Sequence, residues 1–239
     1  MKPEGHGRTK ATKTSPSKDT RQRLIEAATR MFAERGYRHV TIRAISQAAG
    51  ANVAAINYHF SDKLGLYREV LDAAGHVILE TTAEAMRQGE GLPAPEKLRV
   101  YIRVMCERMH AIPGPSAIQQ LIQQEVDEPT QELDGFVGRT LRPRFEYLYG
   151  VVGEMLALPP EDERVRLCAI SIHGLIVMFR PNPMTERFGR LLGLKFSPER
   201  IADHLVTFSL AALDIYRQPP RAERARPRAA APSTMPPPS

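Results

Sequence analysis

A chain of 239 residues, 42% hydrophobic and 25% charged, carries enough apolar material for a globular core. No apolar run approaches the roughly 18–20 residues needed to span a bilayer, and the basic opening, Met1 to Lys18, lacks the apolar stretch of a secretory signal. Two cysteines, Cys106 and Cys168, are too few for a disulfide framework, so a cytoplasmic protein without a membrane partner is expected. The net charge of +6 is unevenly placed: residues 1–65 hold 12 Lys/Arg against 5 Asp/Glu, residues 66–217 hold 17 against 21, and residues 218–239 hold 4 against 1. A basic N-terminal module on a mildly acidic body is the footprint of a chain whose one end meets a polyanion, and an anionic membrane surface would leave the same mark.

In chain order, residues 1–18 are rich in Lys, Thr, Ser, Gly and Pro without apolar periodicity and read as a disordered basic arm. Helical spacing then runs through Leu24, Ala28, Met31 and Phe32, and through Tyr67, Leu71, Ala74, Ile78 and Ala85. It continues in Leu98, Tyr101, Ile102, Met105 and Met109, in Ile118, Leu121 and Ile122, and in Leu141, Phe145, Leu148, Val152 and Met155. The last stretches are Val165, Cys168, Ile172, Ile176 and Phe179, then Ile201, Leu205, Phe208, Ala212 and Ile215. Breaks fall at Gly89-Glu90-Gly91-Leu92-Pro93, Ile112-Pro113-Gly114-Pro115, Leu158-Pro159-Pro160 and Arg180-Pro181-Asn182-Pro183. Pro143 should kink its helix or mark its start. Ser197 and Pro198 open the last helix. Residues 218–239, ending in Pro236-Pro237-Pro238, read as a Pro/Arg-rich disordered tail. The expected fold is all-α: a helix-turn-helix domain over 19–65 and a larger helical domain over 66–217.

The stretch from Thr41 to Phe60 carries the function. Thr41 suits the N-cap of a short helix whose inward positions are Ile45 and Ala49. Gly50 stands where the chain leaves that helix, in a left-handed conformation. Asn52 caps a second short helix that turns Ile56 and Phe60 inward, and Ser46 and Ala49 are small enough for the two to cross closely. With the preceding helix packing Leu24, Ala28 and Phe32, they form a three-helix bundle with a helix-turn-helix. Val53, Ala54, Ala55 and Asn57 are then the outward set: alanines admit close approach to thymine methyls, and Asn57 offers a donor and an acceptor to adenine. Arg43 reaches guanine or phosphate. Thr41, Tyr58, His59 and Lys63 flank the reader and suit phosphate contacts, and the capping Asn52 counts among the DNA-facing residues.

Thr20 to Leu71 resembles the TetR/AcrR family of transcriptional regulators. The likeness rests on Leu24-Ile25-Glu26-Ala27-Ala28, Phe32-Ala33-Glu34-Arg35-Gly36-Tyr37, Thr41-Ile42-Arg43, Ile45, Ala48-Ala49-Gly50 and Tyr58-His59-Phe60 followed by Asp62-Lys63. It implies base contacts from Arg43, Val53, Ala54, Ala55 and Asn57, and phosphate contacts from Thr41, Tyr58, His59 and Lys63. Asn57 departs from the aromatic residue usual before the tyrosine, which alters the bases read. The Ala-Ile-Asn-Tyr-His-Phe variant is similar to a branch that regulates efflux systems. The basic arm, with Arg8, Lys10, Lys13 and Lys18, adds salt-sensitive affinity.

The resemblance further implies a homodimer through helices near 164–180 and 199–217, operator DNA as partner, and a small-molecule effector that relieves repression. One short helix reads too few bases; two held roughly 34 Å apart read a palindrome. Met105, Met109, Phe145, Tyr149, Ile172, His173, Ile176 and Phe179 are the candidate lining of an effector cavity, and simple core is the competing reading. Cys106 and His110, spaced i, i+4, share a helix face that suits metal or redox chemistry, though a buried cysteine and a satisfied histidine are commoner. No phosphate-binding glycine loop, Gly-x-Ser-x-Gly elbow or His-Glu-x-x-His is present, so no catalytic residue, cofactor or metal is expected. The rival functions are a helical enzyme and a nonspecific nucleic-acid or membrane-surface binder.

Overall fold

The computed structural model describes residues 16–111, 117–193 and 195–217. The expected tail, the break at 112–116 and most of the expected basic arm, including Arg8, Lys10 and Lys13, lie outside the described residues. Lys18 departs from its expected place in that arm: it stands exposed in the first turn of α1 (Pro16–His39), where Asp19 complements the helix N-terminus.

The described elements are helical throughout. After α1, which is interrupted at Gly36, come α2 (Ile42–Ala48), α3 (Val53–Phe60), α4 (Lys63–Gly89), α5 (Ala94–His110), α6 (Ala117–Asp127) and α7 (Leu133–Phe136). A π-helical turn over Val137–Leu141 leads into α8 (Arg142–Leu156), followed by α9 (Glu163–Met178), α10 (Pro183–Leu192) and α11 (Pro198–Arg217). Pro143 is the second residue of α8. It has no N–H, and its ring would crowd the carbonyl four residues back in a continuing α-helix, so the wider π turn falls where the misfit must be absorbed.

Packing divides the chain into two units, Met1–Ile78 with Pro115–Leu141, and Leu79–Gly114 with Arg142–Ser239. This differs from a boundary at 65/66. In the first unit Leu24, Ala28, Phe32, Ile45, Ile56 and Phe60 form the anticipated three-helix core, but Leu66, Tyr67, Val70 and Leu71 of α4 and Leu121 and Phe136 of α6 and α7 are buried in the same cluster. Phe32 and Tyr67 meet edge to face at 4.9 Å. Two polar ties reinforce this packing. The Tyr67 hydroxyl donates to buried Glu125, and Arg68 grips Glu132 through Nε and Nη2 at 2.8 and 2.7 Å. That fork holds the Glu132 carboxyl below its usual range.

The second unit is a helical bundle in which α5, α8, α9 and α11 pack on one another. Leu98, Tyr101, Ile102 and Met105 of α5 are buried with Leu148 and Val152 of α8, Val165, Ala169 and Ile176 of α9, and Leu205 of α11. Large apolar side chains also point outward from α9 (Leu167, Ile170, Met178) and α11 (Phe208, Ile215, Tyr216). Between these two helices runs a shallow groove of about 100 Å³, lined by Leu167, Leu175, Phe208 and Tyr216. α10 was not among the expected helices, and none of its side chains is buried.

Candidate nucleic-acid interface

Local chemistry fixes α2 and α3 at both ends. Thr41 is extended (φ −108°, ψ 149°) and its hydroxyl accepts from the Ala44 N–H at 3.2 Å; Asn52 is extended and its side chain accepts from the Ala54 N–H at 3.1 Å. Each side chain satisfies a donor that the helix start leaves over, at a gain of about 1 kcal/mol. Gly50 lies between them at φ 59°, a left-handed conformation that costs an ordinary L-residue about 1–2 kcal/mol. The Arg23 guanidinium donates to the Ala49 carbonyl at 3.1 Å, placing a cation at the negative end of α2 and tying it to α1. Sequence pattern did not reveal this role for Arg23, since nothing in its spacing says which carbonyl it will find.

The junction of α3 with α4 is as closely set. The Asp62 carboxylate accepts from the Gly65 N–H at 2.7 Å, and a Cβ on Gly65 would fall 1.9 Å from the Phe60 carbonyl oxygen. Arg21 of α1 pairs with Glu69 at 2.7 Å while its guanidinium stands 5.3 Å from the Phe60 ring centroid, holding α1, α3 and α4 together.

Around α3 the 100° advance per residue sorts the sequence. Ile56 and Phe60 are buried, whereas Asn52, Ala54, Asn57 and Tyr58 are exposed, Tyr58 at 81%. Val53 and His59 are half-buried. Ala55, expected outward, is half-buried against the core cluster. Thr41 and Arg43 are exposed at the start of α2, as is Gln47, an exposed amide that the outward set omitted. Lys63 differs from the other flanking residues. It is half-buried with its ammonium 4.3 Å from the Tyr37 ring centroid, and burial lowers its pKa. Its charge is engaged within the unit, at the start of α4.

The residues expected to line an effector cavity fall into several settings. Met105, Ile172 and Ile176 are buried core and Met109 packs at its edge. Phe145, Tyr149 and His173 do form one aromatic group, with Phe145 5.1 Å from His173 and 5.9 Å from Tyr149. Phe179 lines a different cavity, beside α10. The Tyr101 hydroxyl and His173 Nδ1 are hydrogen-bonded at 2.9 Å, and Arg144 Nε donates to the Thr82 hydroxyl at 3.0 Å. Burial, aided by the Arg144 charge, pushes His173 down to about 4. Cys106 and His110 do meet, but through the backbone: His110 Nδ1 donates to the Cys106 carbonyl at 2.7 Å. The Cys106 thiol is buried and pushed up to about 11, so it stays protonated at neutral pH. Among the described residues no three His, Cys, Asp or Glu side chains converge as metal ligands.

A capped helix pair joined by a left-handed glycine within a three-helix core, in a chain whose described elements are all helical, has the build of a helix-turn-helix regulator. Residues 24–70 match the family model of bacterial regulatory proteins of the tetR family, and residues 94–213, half of the chain, match that of the C-terminal domain of the HTH-type transcriptional dual regulator CecR. The chain belongs to the TetR/AcrR family of transcriptional regulators. It is 29% identical over 89 residues to the HTH-type transcriptional regulator AcrR of Shigella flexneri, covering 37% of this chain and 41% of that one. It is 39% identical over 82 residues to the HTH-type transcriptional repressor AcnR of Corynebacterium diphtheriae (32% and 42%), and 39% identical over 88 residues to the HTH-type transcriptional regulator TtgR of Pseudomonas putida (36% and 42%). In each pairing the chain spans about two fifths of the relative's length. Among solved structures it shares its fold with SCO4454, a TetR-family transcriptional regulator from Streptomyces coelicolor (TM-score 0.58, 19% identity, 84% of this chain and 97% of that one). It also shares it with the fatty acid degradation regulator FadR from Bacillus halodurans (TM-score 0.55, 18% identity, 79% and 97%). Among the described residues no helix is long and apolar enough to cross a membrane.

Proposed function

We propose that this protein is a cytoplasmic repressor that binds operator DNA as a homodimer and is released by a small-molecule effector. The observation that carries the reading is the exposed edge of α3: Ala54, Asn57 and Tyr58 stand clear of the core on a helix capped at one end and fixed to α4 at the other. A rod of that width enters a major groove, where Asn57 faces base edges and Arg43 adds a guanidinium from the start of α2. Thr41, Tyr58 and His59 flank them for phosphate contacts. Leu167 and Ile170 of α9 with Phe208 and Ile215 of α11, all outward and apolar, support self-association through those helices, and two copies of α3 would then read a palindrome. An effector acts to the extent that it prefers a state unable to span both half-sites.

The test is fluorescence anisotropy with a duplex recovered by selection from genomic DNA, competed by random DNA at fixed salt. Preference for the selected duplex is expected, and Arg43→Ala and Asn57→Ala should each lower it about tenfold, as for loss of one bidentate base contact. Equal affinity for the two DNAs, unaltered by either substitution, would instead establish a nonspecific polyanion binder.

A further inference from the structure

α10 is well built and poorly covered. Asn182 accepts from the Met184 and Thr185 N–H groups while the Thr185 hydroxyl accepts from the Asn182 N–H, Pro183 occupies the first turn, and Gly193 closes the helix at φ 67°. Yet Met184, Phe188, Leu191 and Leu192 are all exposed, Leu191 at 70%. Ten residues are too few for a helix to persist in water by propensity alone, so this apolar face calls for a cover.

Beside it lies a cavity of about 580 Å³, within the range of small-molecule sites. Met178 and Phe179 line it from the end of α9, Met184 and Phe188 from α10, and Phe196 and Ile201 from the approach to α11. Its polar lining is His110, Thr185, Glu186, Arg190 and Lys195. Arg190 and Lys195 are exposed there and form no ion pair among the described residues; Glu186 is the one acid of the lining. The Arg200 guanidinium adds a third positive charge, 5.8 Å from the Phe196 ring centroid.

We propose that this groove binds an amphipathic anion, a carboxylate-headed molecule whose head meets Arg190 and Lys195 and whose apolar body lies along Phe179, Phe188 and Phe196. Its action as the effector rests on the repressor reading above; its binding does not. The full chain is titrated with cis-parinaric acid, read by fluorescence, and the probe is displaced by palmitic acid or hexadecanol. Saturable binding is expected, with the acid displacing about tenfold better than the alcohol, the gain of a charge-assisted contact. The double variant Arg190→Gln, Lys195→Gln should weaken the acid about tenfold and leave the alcohol unchanged, with its far-ultraviolet circular dichroism as the folding control. Absent binding, equal displacement by acid and alcohol, or an unaltered double variant overturns the proposal. So does a wild type that takes up no probe while Phe188→Glu turns a dimer into monomers, because a second copy then covers the groove. Operator affinity is measured in the same samples: protein that binds probe and never binds operator defeats the repressor reading alone, and protein that binds operator and never probe defeats this inference alone.

Discussion

His173 shows how one side chain writes a pH dependence into the bundle. It is hydrogen-bonded to the Tyr101 hydroxyl, and burial with the nearby Arg144 charge brings its pKa to about 4. In the unfolded chain it titrates near 6.5. Between these values the unfolded state binds more protons, so its stabilising contribution is complete above pH 6.5 and is lost as pH falls toward 4. The whole interval is worth about 3 kcal/mol. Thermal melting at pH 7.0, 5.5 and 4.5 should therefore show a drop that is clearly shallower in His173→Gln; parallel curves for the two proteins would assign the acid sensitivity to other groups. The caps and the turn of the helix pair were legible one at a time, because Thr41, Asn52 and Gly50 act on backbone only two or three positions away. Ala55 and Lys63 were not, since what an alanine touches and what a lysine stacks on depend on distant chain.

At the scale of elements, the α2–α3 turn depends on Gly50 being left-handed. Gly50→Val should lower unfolding free energy in urea by about 1–3 kcal/mol, and Gly50→Asn by distinctly less, because asparagine tolerates that conformation. Identical midpoints for Val and Asn would show that the turn relaxes instead of straining. Helix periods and proline breaks made most elements readable, yet they did not say that α6 and α7 pack with the DNA-binding helices. A moment of hydrophobicity tells a helix to bury one face and is silent about against what; the partner is chosen by shape and by ties such as Tyr67 to Glu125 and Arg68 to Glu132. α10 was open to the same reading, with Met184, Phe188, Leu191 and Leu192 at helical spacing, but it lies just beyond a run of prolines that reads as a break.

For the whole molecule, the proposed output requires two copies. Leu167 and Ile170 on α9 and Phe208 and Ile215 on α11 form the outward apolar face that self-association would bury, and a glutamate placed there would be desolvated without a partner. Leu167→Glu with Phe208→Glu should sediment as a monomer at micromolar concentration and lose about a hundredfold or more in operator affinity, since a half-site supplies only half of the contacts; a variant that stays dimeric would move the interface elsewhere. The close approach at Gly65 then takes on mechanical meaning. With a carbonyl where any side chain would have to begin, the last residue of α3 and the first turn of α4 can lie this close only with glycine at position 65. In the proposed complex, any larger residue there would part the reading helix from α4 and change its pitch in the groove.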